Sequence, residues 1–141
     1  MAAVRSDRKA VIRDFVRSRD IRTQAELVAL LKEQGFDVTQ ATVSRDMADL
    51  GLEKAKGIYK LPEDLEVSSL VRATVREVRR AGNQVVILTT PGAAQSMAFA
   101  IDASAPSDIL GTLAGDDTVL VIAKDDKAGE NFQQTIEKLI G

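Results

Sequence analysis

The sequence predicts an α/β protein of the α+β kind, with an N-terminal winged helix-turn-helix followed by a ββαββα domain. Three observations carry this expectation. Residues 1–60 hold three short runs of helical periodicity and then a Lys-flanked hairpin. From Val71 onward, alternation with a period of two and β-branched runs take over. The charge balance also changes along the chain, with 12 Lys and Arg against 9 Asp and Glu in residues 1–60, and 3 against 8 in residues 81–141. The predicted boundaries are 1–62 for the winged helix, 63–70 for a linker and 71–141 for the α+β domain.

Element by element, Val11, Ile12, Phe15 and Val16 form one stripe of a first helix over Ser6–Ser18. Thr23 followed by Glu26 is a capping-box pattern that opens a second helix carrying Ala25, Leu27, Leu30 and Leu31, and Gly35 stops it. Thr39 then caps a third helix, with Val43, Met47 and Leu50 at helical spacing and Gly51 at its end. Leu52 to Leu61 reads as a hairpin turning near Gly57. Pro62 to Ser69 is acidic, contains Pro and Ser, and breaks the periodicity, which places the linker there.

In the second half, Val71, Ala73 and Val75 alternate with Arg72, Thr74 and Arg76 as a half-buried strand. A second strand, Gln84–Thr90, follows the turn residues Gly82 and Asn83. Ala93–Ala103 reads as a buried helix, Ile109–Leu113 and Thr118–Ala123 as a strand pair, and Phe132, Ile136, Leu139 and Ile140 as the face of a closing amphipathic helix. This order implies helices packed on one face of an antiparallel or mixed sheet.

The composition excludes several chemistries. With no Cys and no His among 141 residues, disulfides, thiolate metal sites, a Cys nucleophile and a Ser-His-Asp arrangement are ruled out. No run of 18 apolar residues is present, and the basic first 22 residues lack a following apolar block, so the expected location is the cytoplasm.

The third helix offers the first candidate site. With its apolar stripe inward, Gln40, Thr42, Ser44, Arg45 and Asp49 lie largely on the other side. Arg reads guanine bidentately, Gln reads adenine, and Ser or Thr reaches bases or phosphates, so this face suits a DNA major groove. Lys54 and Lys56 on the wing, with Arg5, Arg8 and Lys9 on the first helix, would add sequence-independent phosphate attraction. Two other readings stay open. Asp46 and its neighbours can form an ordinary polar face with internal ion pairs, or the wing lysines can meet an acidic protein.

The second candidate is the cluster Gly111-Thr112-Leu113-Ala114-Gly115-Asp116-Asp117-Thr118. Adjacent carboxylates between strands repel each other unless a cation, a donor or a partner chain compensates them. A guanidinium matches carboxylate geometry, and a divalent cation is another solution. A solvent-exposed Asp-Asp turn is a third. A Mg²⁺ enzyme built on Asp116 and Asp117 would need further oxygen ligands, of which only Asp102 and Asp108 are obvious.

The run Thr39-Gln40-Ala41-Thr42-Val43-Ser44-Arg45-Asp46-Met47, followed by Gly111 to Thr118, resembles the bacterial arginine repressor family over nearly the whole chain. The resemblance implies a non-enzymatic transcriptional regulator with no metal and no cofactor besides L-arginine as corepressor. It also implies a winged helix that binds double-stranded operator DNA, and a C-terminal domain that forms trimers and, with arginine, hexamers. Residue by residue, it points to Ser44 and Arg45 as the DNA-contacting pair, with Gln40 and Thr42 beside them. It points to Gln95, Asp102, Thr112, Ala114, Asp116 and Asp117 as lining the arginine site between trimers. If the resemblance failed, the remaining reading would be a winged-helix regulator or interaction module with a different small-molecule ligand.

Overall fold

A computed structural model describes residues 2–141, with side chains from Asp7 onward. The chain divides into two compact units, 1–62 and 63–141. The first contains α1 (Ala2–Ser18), α2 (Gln24–Glu33), α3 (Gln40–Asp49), β1 (Glu53–Ala55) and β2 (Ile58–Lys60). Its core is a single cluster in which Ile12 and Val16 of α1, Leu27 and Leu31 of α2, and Val43 and Met47 of α3 meet Ile21, Val38 and Leu61.

Local chemistry sets the helix ends. Thr23 caps α2 by accepting from the Glu26 N–H at 3.2 Å, while the Glu26 carboxylate accepts from the Arg22 N–H at 3.3 Å, one residue outside the expected partner. Thr39 caps α3 by accepting from the Thr42 N–H at 3.2 Å. Both helices stop in the same way. Gly35 (φ +90°) and Gly51 (φ +68°) take the left-handed conformation, and Phe36 and Leu52 donate back to the carbonyls of Leu31 and Met47 at 3.0 and 3.1 Å. The wing pairs Ala55 with Ile58 around Lys56 and Gly57, and β2 is tied to the segment before α2 by the Tyr59 N–H donating to Ile21 O at 2.9 Å.

The stretch 63–70, expected as a linker, is helical instead. It lies within α4 (Pro62–Thr74), and Val71 and Ala73, expected on a strand, are in its last turns. The proline starts a helix here because its missing N–H and fixed φ suit the first helical position, and Glu63 and Asp64 favour the positive helix start. Val67, Leu70 and Val71 then fall at helical spacing against the core of the second unit. The first strand therefore begins only at Val75.

The second unit continues with β3 (Val75–Ala81), β4 (Gln84–Thr89), α5 (Ala94–Ser104), β5 (Ile109–Ala114), β6 (Thr118–Ala123) and α6 (Asp126–Ile140). All its strand pairs are antiparallel, in the order β3-β4-β6-β5. Val85, Ile87, Val119 and Val121 are buried against Met97 and Ile101 of α5 and Ile136 of α6. The other sheet face carries Val86, Leu88, Leu120 and Ile122, only half-buried, and Leu113 of edge strand β5, which is 72% exposed. Among the described residues no helix is long and apolar enough to cross a membrane.

α6 meets the β3–β4 turn at Gly129, where an added Cβ would lie 2.6 Å from the Gly82 carbonyl oxygen. Helix propensity alone would make Gly129→Ala stabilising by about 1 kcal/mol. The backbone clash should reverse that sign, and the variant is expected to lose roughly 1–3 kcal/mol in urea unfolding. A more stable variant would show that the turn yields freely.

Candidate DNA-reading and ligand sites

The face of α3 is set from behind. Asp46 is 2% exposed and is gripped by Arg8 of α1, whose Nε and Nη2 both donate to its carboxylate, the latter at 3.1 Å. Hydrogen bonding to Asp46 raises the Arg8 guanidinium above its ordinary pKa, against the opposing effect of burial. Lys9 reaches Asp49 at 3.0 Å. The expectation that Arg8 and Lys9 attract phosphate is corrected accordingly, since both spend their charge on acidic residues of α3. The side chain of Arg5 lies outside the described residues.

With Asp46, Val43 and Met47 turned inward, Gln40 and Arg45 are exposed and Thr42 and Ser44 half-buried. Among the described residues Arg45 has no hydrogen-bond or ion-pair partner. The Thr42 hydroxyl lies 2.9 Å from that of Thr39, so it is shared with the helix cap. Gln24, the first residue of α2, is a component the sequence reading missed. Its Nε2 donates to Ser44 Oγ at 3.4 Å, and its Oε1 accepts from Gln40 Nε2 at 3.4 Å. A polar residue just after an N-cap carries no signal in sequence that it will reach across to a neighbouring helix.

On the wing, Lys54 and Lys56 are both exposed. The Lys54 ammonium lies 5.1 Å from the centre of the Tyr59 ring. Lys56 adopts φ +54° at the turn, a conformation that costs a residue with a Cβ about 1–2 kcal/mol.

In the second unit, an open cavity of about 310 Å³ is lined by Gly92, Gln95, Ala114, Gly115 and Asp116. Asp116 and Asp117 form a tip between β5 and β6, closed by the Gly115 N–H donating to Thr118 O at 2.8 Å. This tip is not a loose turn. Asp116 O accepts from the Ala94 N–H at the start of α5 (3.2 Å), and Asp117 O accepts from the Thr89 N–H at the end of β4 (2.8 Å). The Asp116 carboxylate is exposed, without a hydrogen-bond or ion-pair partner among the described residues. That of Asp117 accepts from Thr118 Oγ1 at 3.1 Å and stands 3.9 Å from the Arg76 guanidinium.

Of the six expected ligand residues, Gln95, Ala114 and Asp116 thus line one cavity. Asp102 and Thr112 are joined to each other, with Thr112 Oγ1 donating to Asp102 Oδ1 at 2.9 Å. They lie further along the same pair of elements, since Asp102 is two turns, about 10 Å, beyond Gln95 on α5. The six form a strip along α5, β5 and the tip rather than a closed pocket. Gly92 was missed, and Gly115, though within the candidate cluster, was not assigned to the lining, because a glycine that lines a cavity looks in sequence like any turn glycine. A divalent cation would need more ligands than this tip offers. Among the described residues no group of three or more His, Cys, Asp or Glu side chains is placed to hold a metal ion.

Comparison with known proteins bears on both sites. Residues 3–67 match the model of the arginine repressor DNA-binding domain, and residues 71–138 match that of the arginine repressor C-terminal domain. The chain belongs to the arginine repressor family. It is 42% identical to the arginine repressor of Acidobacterium capsulatum, over 96% of this chain and 97% of the relative. It is 39% identical to that of Thermus thermophilus, over 96% and 90%. It is 47% identical to that of Carboxydothermus hydrogenoformans, over 84% and 87%. In this repressor-family chain, α3 and the wing fall in the DNA-binding match, and the carboxylate tip falls in the C-terminal match.

The Arg8–Asp46 pair makes a quantitative demand. Removing one partner leaves a buried charge unpaired, so Arg8→Ala should destabilise the first unit by about 3 kcal/mol in urea unfolding. Arg8→Met combined with Asp46→Leu should recover most of that loss. Equal losses from the single and the double replacement would mean that packing, not charge, dominates the site.

Proposed function

We propose that this family member, an arginine-responsive transcriptional repressor, reads operator DNA with Gln40, Thr42, Ser44 and Arg45 of α3 and holds phosphates with Lys54 and Lys56 of the wing. Support comes from Arg45, a guanidinium without a partner among the described residues, on the outward face of a helix held from behind, a side chain suited to bidentate recognition of guanine. The exposed lysines add attraction that positions the protein without specifying sequence. Lys56 keeps a side chain in a conformation where glycine or asparagine would be less strained, which fits a wing tip selected for its charge.

L-Arginine is the corepressor, and no other cofactor is required. The observation that carries this reading is the Asp116 carboxylate on the cavity wall, without a partner among the described residues, on a tip whose carbonyls are already fixed to β4 and α5. A guanidinium there finds acceptors in place and need not order them. Asp117, Gln95, Ala114, Thr112 and Asp102 extend the contact along the strip, and a facing subunit supplies the other wall.

The protein works as a cytoplasmic homo-oligomer, a trimer that arginine joins into a hexamer. Phe99, Leu110 and Leu113 are 71–73% exposed. Leu113, Leu120 and Val86 also align across three strands on the sheet face opposite α5 and α6. Apolar surface of this kind is what a partner copy buries. Arginine offsets the repulsion of carboxylates from facing subunits, and the assembled heads bind paired operator half-sites through their effective concentration.

Two measurements test the two halves. Calorimetric titration should give heat with L-arginine and none with L-citrulline, whose ureido group is neutral, and Asp116→Asn or Asp117→Asn should weaken arginine binding by about tenfold or more. Equal binding of both ligands would remove the carboxylates from the site. Arg45→Ala should abolish operator protection while leaving the sedimentation profile with arginine unchanged. A variant that still protects the operator would remove Arg45 from base reading.

A further inference from the structure

We infer that Gln24 is a positioning residue for sequence reading, one that sets which hydrogen-bonding groups Ser44 and Gln40 present to DNA. Ser44 and Gln40 are one turn apart on α3 and both are bonded to this single amide of α2. The consequence follows from the inventory of donors and acceptors. A serine hydroxyl has one proton to give. Because Ser44 Oγ accepts from Gln24 Nε2, that proton stays available, and Ser44 faces the groove as a donor. Gln40 gives one of its two N–H groups to Gln24 Oε1 and keeps one N–H and its carbonyl oxygen. That remaining pair is the combination that recognises adenine N7 and N6.

Gln24 thereby removes two ambiguities. Without it, the Gln40 amide can turn over and exchange its oxygen and nitrogen, and the Ser44 hydroxyl can turn its proton inward. Both side chains would then have to be ordered as DNA binds, and that ordering lowers affinity for the correct sequence. Phosphate contacts are untouched by this, because they come from other residues. Gln24 therefore acts on specificity and not on general attraction.

The inference rests on the reading of α3 as the base-contacting helix, and its test separates the two. Full-length protein with L-arginine is measured against an operator duplex, a panel of single base-pair substitutions in it, and a random duplex. Gln24→Met keeps length and neutrality but removes both hydrogen bonds. It should bind the operator about tenfold more weakly, with random-duplex affinity, its salt dependence and the unfolding midpoint unchanged. The lost discrimination should fall on the base pairs affected by Ser44→Ala and Gln40→Ala, and adding Gln24→Met to those two replacements should cause no further loss. Gln24→Glu, which still accepts from Gln40 but claims the Ser44 proton, should relax only the Ser44 position. Wild-type discrimination by Gln24→Met would overturn the inference, as would equal loss on operator and random duplex or relaxation at a separate base pair. A wild-type protein that does not discriminate within the panel would instead overturn the base-reading role of α3 itself.

Discussion

A carboxylate that is 2% exposed, as Asp46 is, is sustained only by a partner that follows it into the interior, and Arg8 does so with two N–H groups. Such a pair adds little net stability compared with a well-packed apolar one. What it specifies is rotation. Each step along a helix turns about 100°, so with Asp46 fixed inward beside Val43 and Met47, Arg45 points outward and Gln40 and Ser44 share the remaining face. Lys9 and Asp49 repeat the restraint one turn further along. The outward face of α3, proposed above to read DNA, is therefore defined by residues that do not belong to it, and the capped ends of α2 and α3 keep both helices in register with that anchor.

The second unit meets a different constraint. Its sheet buries one face under α5 and α6, and the other face is largely apolar but, among the described residues of this unit, covered by no helix. Such a face suits burial against the partner copy proposed above. The same elements that bring Leu113 to the open edge also bring Ala114 and the two aspartates to the tip, so the surface proposed to associate and the surface proposed to bind arginine are contiguous along β5. On that proposal, association and ligand binding meet on one strand and need no relay through the protein interior.

Much of this was legible in sequence because it depends on local chemistry. Thr23, Thr39, Gly35 and Gly51 act through neighbours within five residues, and the helices they bound follow the expected pattern. The β-branched run of β4 was equally plain, whereas the alternation from Val71 to Arg76 falls mostly within α4. The expected linker at 63–70 fails because Pro62 looks in sequence like a break, although proline is as well suited to starting a helix as to ending one. Arg8 and Lys9 were misread for another reason. Charges on a basic helix look available until their partners, 38 and 40 positions away, are known to sit beneath them. Gln24 was invisible on the same ground, since a hydrogen bond across 20 residues leaves no trace in spacing. The aspartate pair stood between these cases. Its turn was readable, but the anchoring of its carbonyls to Thr89 and Ala94 was not.

How a small cation can switch a DNA-binding protein follows from where the charges lie. In the assembly proposed above, the acidic tips of facing subunits repel one another, so the apolar faces associate against an electrostatic load concentrated at one place. A ligand that neutralises that load favours the assembled state by its difference in affinity between assembled and separate subunits, and by nothing else. A neutral analogue of the same shape fills the space but leaves the repulsion, so size alone carries no signal. The chain places the acidic residues far from the basic unit in sequence, so in the proposed mechanism the ligand acts on assembly while the side chains proposed to read DNA stay constant. The response, on that proposal, comes from how many heads are held together, not from a change in any one of them.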